Sequence, residues 1–257
     1  MSAPQIDPAA GAFEPMRPVR DTSLIDTSLT SSTPFPSVSK NVLITTVKDE
    51  AGNAIFSINP DFVSQTDFPN VVNGTFGEPR TSQLLASGQY APPQSATNNG
   101  SDADARLQLV DLGTDYMWRC PSWTFARSWS AHGGQTYVGE YTLGSKYPAN
   151  AGVDFCQEAG SVCHEDDIQI VFGTVSSPSN AQRALTREMQ ARYRAFLNTG
   201  NPNPSGPAGV GIRNWQPVSG NDVRPILLGG EGNAPIGTCS PDFWGTAVLY
   251  DYQVFGL

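Results

Sequence analysis

The spacing of hydrophobic positions changes several times along this chain, and each change predicts an element. Asn41–Val47 is a nearly continuous apolar and β-branched run of strand length, which suits a strand buried on both faces, as in a parallel sheet. It stops at Lys48-Asp49-Glu50-Ala51-Gly52, so two carboxylates stand just past the strand's carboxyl end. In α/β sheets that edge is where ligands and catalytic groups gather. Gln135–Thr142 alternates and predicts a second strand, and Val223–Leu228 a third.

Helical spacing governs the intervening stretches. Asn180–Asn198 carries Leu185, Met189, Tyr193, Phe196 and Leu197 at spacings of three and four, with Arg183, Arg187, Glu188, Arg192 and Arg194 off that stripe. Ser179 or Asn180 can cap its start, and Gly200 supplies a left-handed stop. A helical region runs from about Asp102 and continues through Trp118, Trp123, Phe125, Ala126 and Trp129; the aromatic stripe of Trp118, Trp123, Phe125 and Trp129 could be a ligand platform, but at helical spacing it reads as core. Pro60–Val63 and Thr81–Ala86 predict short helices, Gly88–Gly100 a loop, and Pro241–Tyr252 a closing helix. Residues 1–40 form an irregular wrapping segment studded with prolines, and residues 41–257 form the folded part. Strands mixed with helices, without an internal repeat, give an α/β class.

Charge and cysteine usage narrow the setting. The net charge is −9 with no basic cluster, which argues against nucleic acid or an anionic membrane surface as partner. No apolar run approaches a transmembrane length. Four cysteines accompany two glycosylation sequons, at Asn73 and Asn99, both in polar surroundings that predict loops. Together they favour an oxidising, secreted setting. The first residues have neither the basic nor the apolar region of a signal peptide, so the native protein is expected to begin upstream of Met1.

Candidate chemistry centres on Val162–Gly173, which holds His164, one of only two histidines, followed by Glu165, Asp166 and Asp167. Imidazole is the side chain suited to moving protons near neutral pH. A lone histidine is more often a surface residue in an acidic turn, so its partners decide the matter. Glu50 can orient it: a carboxylate accepts the Nδ1 proton and stabilises the imidazolium. Acid before histidine also obeys the chain order nucleophile, acid, histidine of α/β-hydrolases. Cys156, Cys163 and His164 offer metal-ligand types, but no CxxC pair exists and zinc spacing is not met, so disulfides are the preferred reading and no metal or cofactor is expected.

Five segments in order resemble the C-terminal half of a type-B carboxylesterase, the family of fungal secreted lipases, cholesterol esterases and cholinesterases. They are Lys48-Asp49-Glu50, Thr114-Asp115 with Cys120-Pro121, Val162-Cys163-His164 through Phe172-Gly173, Phe196 to Asn203 with Trp215-Gln216-Pro217, and Cys239 ahead of Phe243-Trp244. The resemblance implies the C-terminal part of an α/β-hydrolase fold, a mostly parallel sheet with helices on both faces, incomplete without an upstream half. It implies Glu50 as triad acid, His164 as general base, and disulfides Cys120–Cys239 and Cys156–Cys163. Ester or lipid would be the substrate.

Two departures touch the site. Glu165 stands where the family has glycine after the histidine, and Ala51-Gly52 replaces the glycine directly after the acid. A larger one is the nucleophile: no Gly-x-Ser-x-Gly occurs in these residues. His132-Gly133-Gly134 looks like an oxyanion-hole segment but follows the acid and precedes a strand, so it reads as a plain turn. The expectation is therefore an ester hydrolase whose serine lies in a missing N-terminal half, with this chain inactive alone; the alternative is a truncated or pseudo-esterase that at most binds.

Overall fold

The computed structural model describes residues 38–92 and 103–245. Strands β1 (Val42–Val47), β2 (Thr136–Tyr141) and β3 (Ile226–Leu228) form a parallel sheet in that order. Val42 lies in register with Thr136 and Val47 with Tyr141, while Gly139 pairs with Ile226. Parallel neighbours need long crossovers, and helices supply them. Between β1 and β2 lie α1 (Gly52–Ile58), α2 (Phe68–Phe76), α3 (Arg80–Ala86), α4 (Arg106–Thr114) and α5 (Cys120–Ala131), with a π turn at Asp115–Arg119 joining the last two. Between β2 and β3 lie α6 (Asp154–Gln157), α7 (Ile168–Phe172) and α8 (Asn180–Thr199). Among the described residues no helix is long and apolar enough to cross a membrane.

The core has two parts, one for each face of the sheet, because successive strand side chains point to opposite sides. Val138 faces Ile55, Val72, Leu109 and Trp123 from the helices between β1 and β2. Tyr137 and Tyr141 join Val47, Ile226 and Leu228 against Ile170 of α7, Leu185 and Met189 of α8, and Trp215. Helices thus cover both faces, as the resemblance implies.

Several expectations are corrected. β1 was expected to be buried on both faces, but only its last two residues are fully buried, because β2 is its sole sheet neighbour among the described residues. β2 was expected to alternate, yet all six of its residues are buried. Its Glu140 tolerates this because Arg119 pairs with it. Pro60–Val63 forms no helix; the Val63 carbonyl accepts the Ala105 N–H instead of one from the next turn. Asn73 lies inside α2 rather than in a loop, since Phe68, Val71 and Val72 give that segment a buried helical face; Asn73 itself is exposed.

Helix α8 matches its predicted bounds, with Ser179 and Gln182 closing a capping box and Gly200 left-handed at its end. Arg192, however, is fully buried: it pairs with Glu188, lies over the Trp215 ring and donates to the Arg213 carbonyl oxygen. The closing helix begins as a π turn at Pro241–Gly245; its remainder, with residues 1–37, most of the Gly88–Gly100 loop and Asn99, lies outside the described residues.

Candidate active site

Main-chain hydrogen bonds join the end of β1 to the loop that carries His164. Beyond Val47, Asp49 continues an isolated parallel bridge with Cys163. Its N–H donates to the Val162 carbonyl oxygen at 2.9 Å, and its carboxylate accepts the Val162 N–H at 2.8 Å. Gly52 begins α1 directly against the loop. A Cβ there would lie 2.7 Å from the Phe155 ring and 2.8 Å from the Cys163 sulfur, so this glycine is required by close approach. Ala51, by contrast, has an ordinary helical backbone with φ −77° and is buried, so the substitution after the acid leaves the turn intact.

On the other side, buried Asp166 organises the histidine loop. It accepts N–H groups from Cys163 at 2.9 Å and Tyr147 at 2.7 Å, and the Asn150 amide at 3.0 Å. Burial pushes its carboxyl up, against the pull of these three donors. The same Asn150 amide donates to the His164 carbonyl oxygen at 2.8 Å. A disulfide, Cys156–Cys163, closes a short loop immediately before the histidine. The second bridge, Cys120–Cys239, joins the start of α5 to the 3-10 turn Gly237–Cys239, just before the π turn at Pro241.

Between these supports Glu50 and His164 meet. One carboxylate oxygen of Glu50 accepts the Val47 N–H at 2.8 Å, and the other lies 2.6 Å from His164 Nδ1. Glu50 is buried, whereas about half of the imidazole side chain, 51%, is exposed. With Nδ1–H donating to the carboxylate, Nε2 is the basic nitrogen of the neutral ring, on the side away from Glu50. The hydrogen bond to Glu50 raises the His164 pKa above its ordinary value; burial opposes it, and the charges of Glu50, Glu165 and Asp167 add to it. Trp118 lies beside the ring, with centroids 5.8 Å apart at 50°, so this tryptophan borders the site rather than belonging only to the core.

Glu165 adopts φ +72°, the left-handed conformation that an L side chain occupies at a cost of roughly 1–2 kcal/mol. Glu165→Gly is therefore expected to stabilise the fold by about 0.5–1 kcal/mol, after the larger unfolded-state entropy of glycine is deducted. The midpoint of urea unfolding measures this, and a lower midpoint for the variant contradicts it.

Other groups separate from the site. His132 ends α5, its Nδ1 2.6 Å from the Ser128 carbonyl oxygen, in a turn leading into β2. Among the described residues, Asp115 with Cys120 and Cys239 is the one group of ligand-type side chains close enough to hold an ion, and its two sulfurs are joined to each other. The supports that pattern reading missed are Asp49, Asn150, Asp166, Thr114 and Arg119. The acids were visible as neighbours of Glu50 and His164, but nothing in their spacing assigns them to main-chain donors.

An imidazole held by a buried carboxylate and half-exposed can take a proton from a hydroxyl nucleophile and return it to a leaving group. Over residues 4–236 the chain matches a family model described as the carboxylesterase family.

Proposed function

This chain belongs to the carboxylesterase family, and from that premise we propose that it supplies the acid and the base of a Ser-Glu-His carboxylic ester hydrolase. The observation that carries the reading is the 2.6 Å contact between Glu50 and His164 Nδ1, made by a carboxylate whose other oxygen is already fixed by Val47. In this reading Glu50 is the triad acid and His164 the general base. A serine hydroxyl attacks the ester carbonyl carbon and passes its proton to Nε2. The imidazolium, stabilised by Glu50, then protonates the departing alcohol, leaving an acyl-serine ester. Water, deprotonated by the same Nε2, attacks that ester and releases the acid. The substrate is a small carboxylic ester or a lipid.

These 257 residues contain no Gly-x-Ser-x-Gly, the motif that would carry the serine of such a triad. We therefore place the serine and its oxyanion loop on a separate stretch of polypeptide, with residues 41–257 as the C-terminal portion of one esterase domain. Two disulfides and the family favour an extracellular setting, in which Asn73 and Asn99 would be glycosylation sites. The missing nucleophile motif also favours a second reading, a non-catalytic relative that binds an ester without turning it over.

The two readings part experimentally. Alone, the chain is expected to show no p-nitrophenyl ester turnover above buffer and no labelling by a fluorophosphonate probe; stoichiometric labelling of one of its own serines sinks the proposed division of the triad. Combined with a carboxylesterase segment bearing Gly-x-Ser-x-Gly, it is expected to gain turnover that His164→Ala lowers by on the order of 10⁴-fold or more. Folded assembly without turnover supports the binding protein instead.

A further inference from the structure

Glu50 is held by Val47 on one side, but the turn that carries it is also gripped from α4 and the π turn that follows. The Thr114 hydroxyl accepts the Ala51 N–H at 3.1 Å, one residue after the acid. Two residues before it, the Lys48 carbonyl oxygen accepts a hydrogen bond from Arg119 at 2.9 Å. The Lys48 N–H still belongs to the sheet, donating to Tyr141. The Arg119 guanidinium therefore takes up the Lys48 carbonyl where the chain leaves the β1–β2 ladder.

That guanidinium is itself fixed. Its Nη1 lies 2.6 Å from an Asp115 oxygen and its Nε 2.9 Å from a Glu140 oxygen, with 18% of the side chain exposed. Burial disfavours its charge, but Asp115 and Glu140 outweigh burial and hold it firmly protonated. A planar fork hydrogen-bonded to Asp115 and the Lys48 carbonyl, and ion-paired with Glu140, cannot shift toward one without weakening its hold on another. The π turn sets this up. An inserted residue reorients the side chains that follow it, and here consecutive residues serve both partners: Trp118 lies against the His164 ring while Arg119 reaches the acid turn.

We propose that Arg119 is a positioning residue, which fixes the Lys48 carbonyl and thereby the point at which the Glu50 carboxylate meets His164 Nδ1. The inference rests on reading Glu50 and His164 as the working pair, but its test needs no ester turnover. Only two histidines are present, so NMR of the histidine-labelled chain, with His132→Gln for assignment, follows the His164 titration directly. Glu50, Glu165 and Asp167 are the charged groups acting on that ring; none is altered in the variants.

Two variants separate position from charge. Arg119→Gln with Glu140→Gln removes the fork and one carboxylate together, so the net charge is unchanged, and Asp115 keeps the Tyr90 and Thr238 hydroxyls as donors. Arg119→Lys keeps the cation but cannot reach Asp115, Glu140 and the Lys48 carbonyl together as the fork does. Positioning predicts that the His164 midpoint falls in both, because the contact with Glu50 lengthens. A purely electrostatic role predicts no fall in either, since a retained or balanced charge leaves the imidazolium as it was. An unmoved or raised midpoint in the double variant, or a native midpoint with lysine, overturns the proposal. If the unsubstituted chain lacks a raised midpoint, the pairing of Glu50 with His164 fails first, which is a different result.

Discussion

In a Glu50→Gln variant the His164 imidazole is expected to titrate lower than in the native chain and to change tautomer. The carboxylate accepts at both ends, from the Val47 N–H and from His164 Nδ1. Glutamine has one acceptor and one donor end. If its carbonyl faces Val47, its NH₂ faces Nδ1, and the imidazole must carry its proton on Nε2, the nitrogen that has to act as base. If it turns over, two donors face each other at Val47. In the first orientation the hydrogen bond that raises the histidine is lost, and in the second it is kept only with a neutral acceptor; either way the carboxylate charge that favours the imidazolium is gone, while the burial that lowers it remains. ¹⁵N shifts of the ring nitrogens report the tautomer, and their pH dependence the midpoint. Retention of the Nδ1–H tautomer with an unshifted midpoint would falsify the orienting role.

The sign of the accompanying pH effect is fixed by the same shift. Because the folded His164 pKa lies above its unfolded value of 6.5, the proton-linked stabilisation from the pair is complete below about 6.5 and is lost as pH rises through the folded value. Native and Glu50→Gln chains should therefore converge in stability over that window. In an assembled enzyme the neutral ring is the active form, so the acid limb of the rate profile is displaced to higher pH. Loss of the carboxylate there is expected to lower turnover about 10⁴-fold, the scale seen when a triad histidine is left in the wrong tautomer.

The second large effect belongs to the disulfides and separates their purposes. Cys120–Cys239 spans 119 residues, and Cys156–Cys163 spans 7. Chain-entropy reasoning gives about 5 kcal/mol for the first and about 2.5 kcal/mol for the second. Cys120→Ala with Cys239→Ala should therefore move the denaturant midpoint far more than Cys156→Ala with Cys163→Ala. Native contacts point the same way, since Arg127 donates to the Cys239 carbonyl oxygen and Thr238 to Asp115, tying the long bridge into α5 and the π turn. The short bridge adjoins His164, and its removal should register in the histidine titration. Equal losses of stability from the two pairs contradict this division.

What the sequence disclosed was whatever depends on local pattern. β1 is legible because Val42–Val47 is apolar and β-branched, α8 because its caps and stripe agree, and the Glu50–His164 pair because each sits in a recognisable segment. What escaped was set by partners distant in the chain. Arg192 reads as solvent-facing until Trp215 is seen beneath it. Glu140 reads as the polar face of a strand until Arg119, on another element, neutralises it. Asn73 lies in a polar, loop-like stretch, yet the buried face formed by Phe68, Val71 and Val72 makes it helical. Burial of a charge is a property of two elements, and no single window of sequence contains both.

The parallel register of β1 with β2 also dictates an order of events during synthesis. Val42 pairs with Thr136, so about 90 residues must be made after the strand that delivers Glu50 before β2, its neighbour among the described residues, exists. At translation rates of about 5–20 residues per second, that is roughly 5–20 s. Local helices form in microseconds or less, so α1 to α5 are available long before the sheet. The strand bearing the acid is thus made well before β2, and the ribosome's pace, rather than any step of helix formation, sets the earliest time at which Glu50 can meet His164, 114 residues further on.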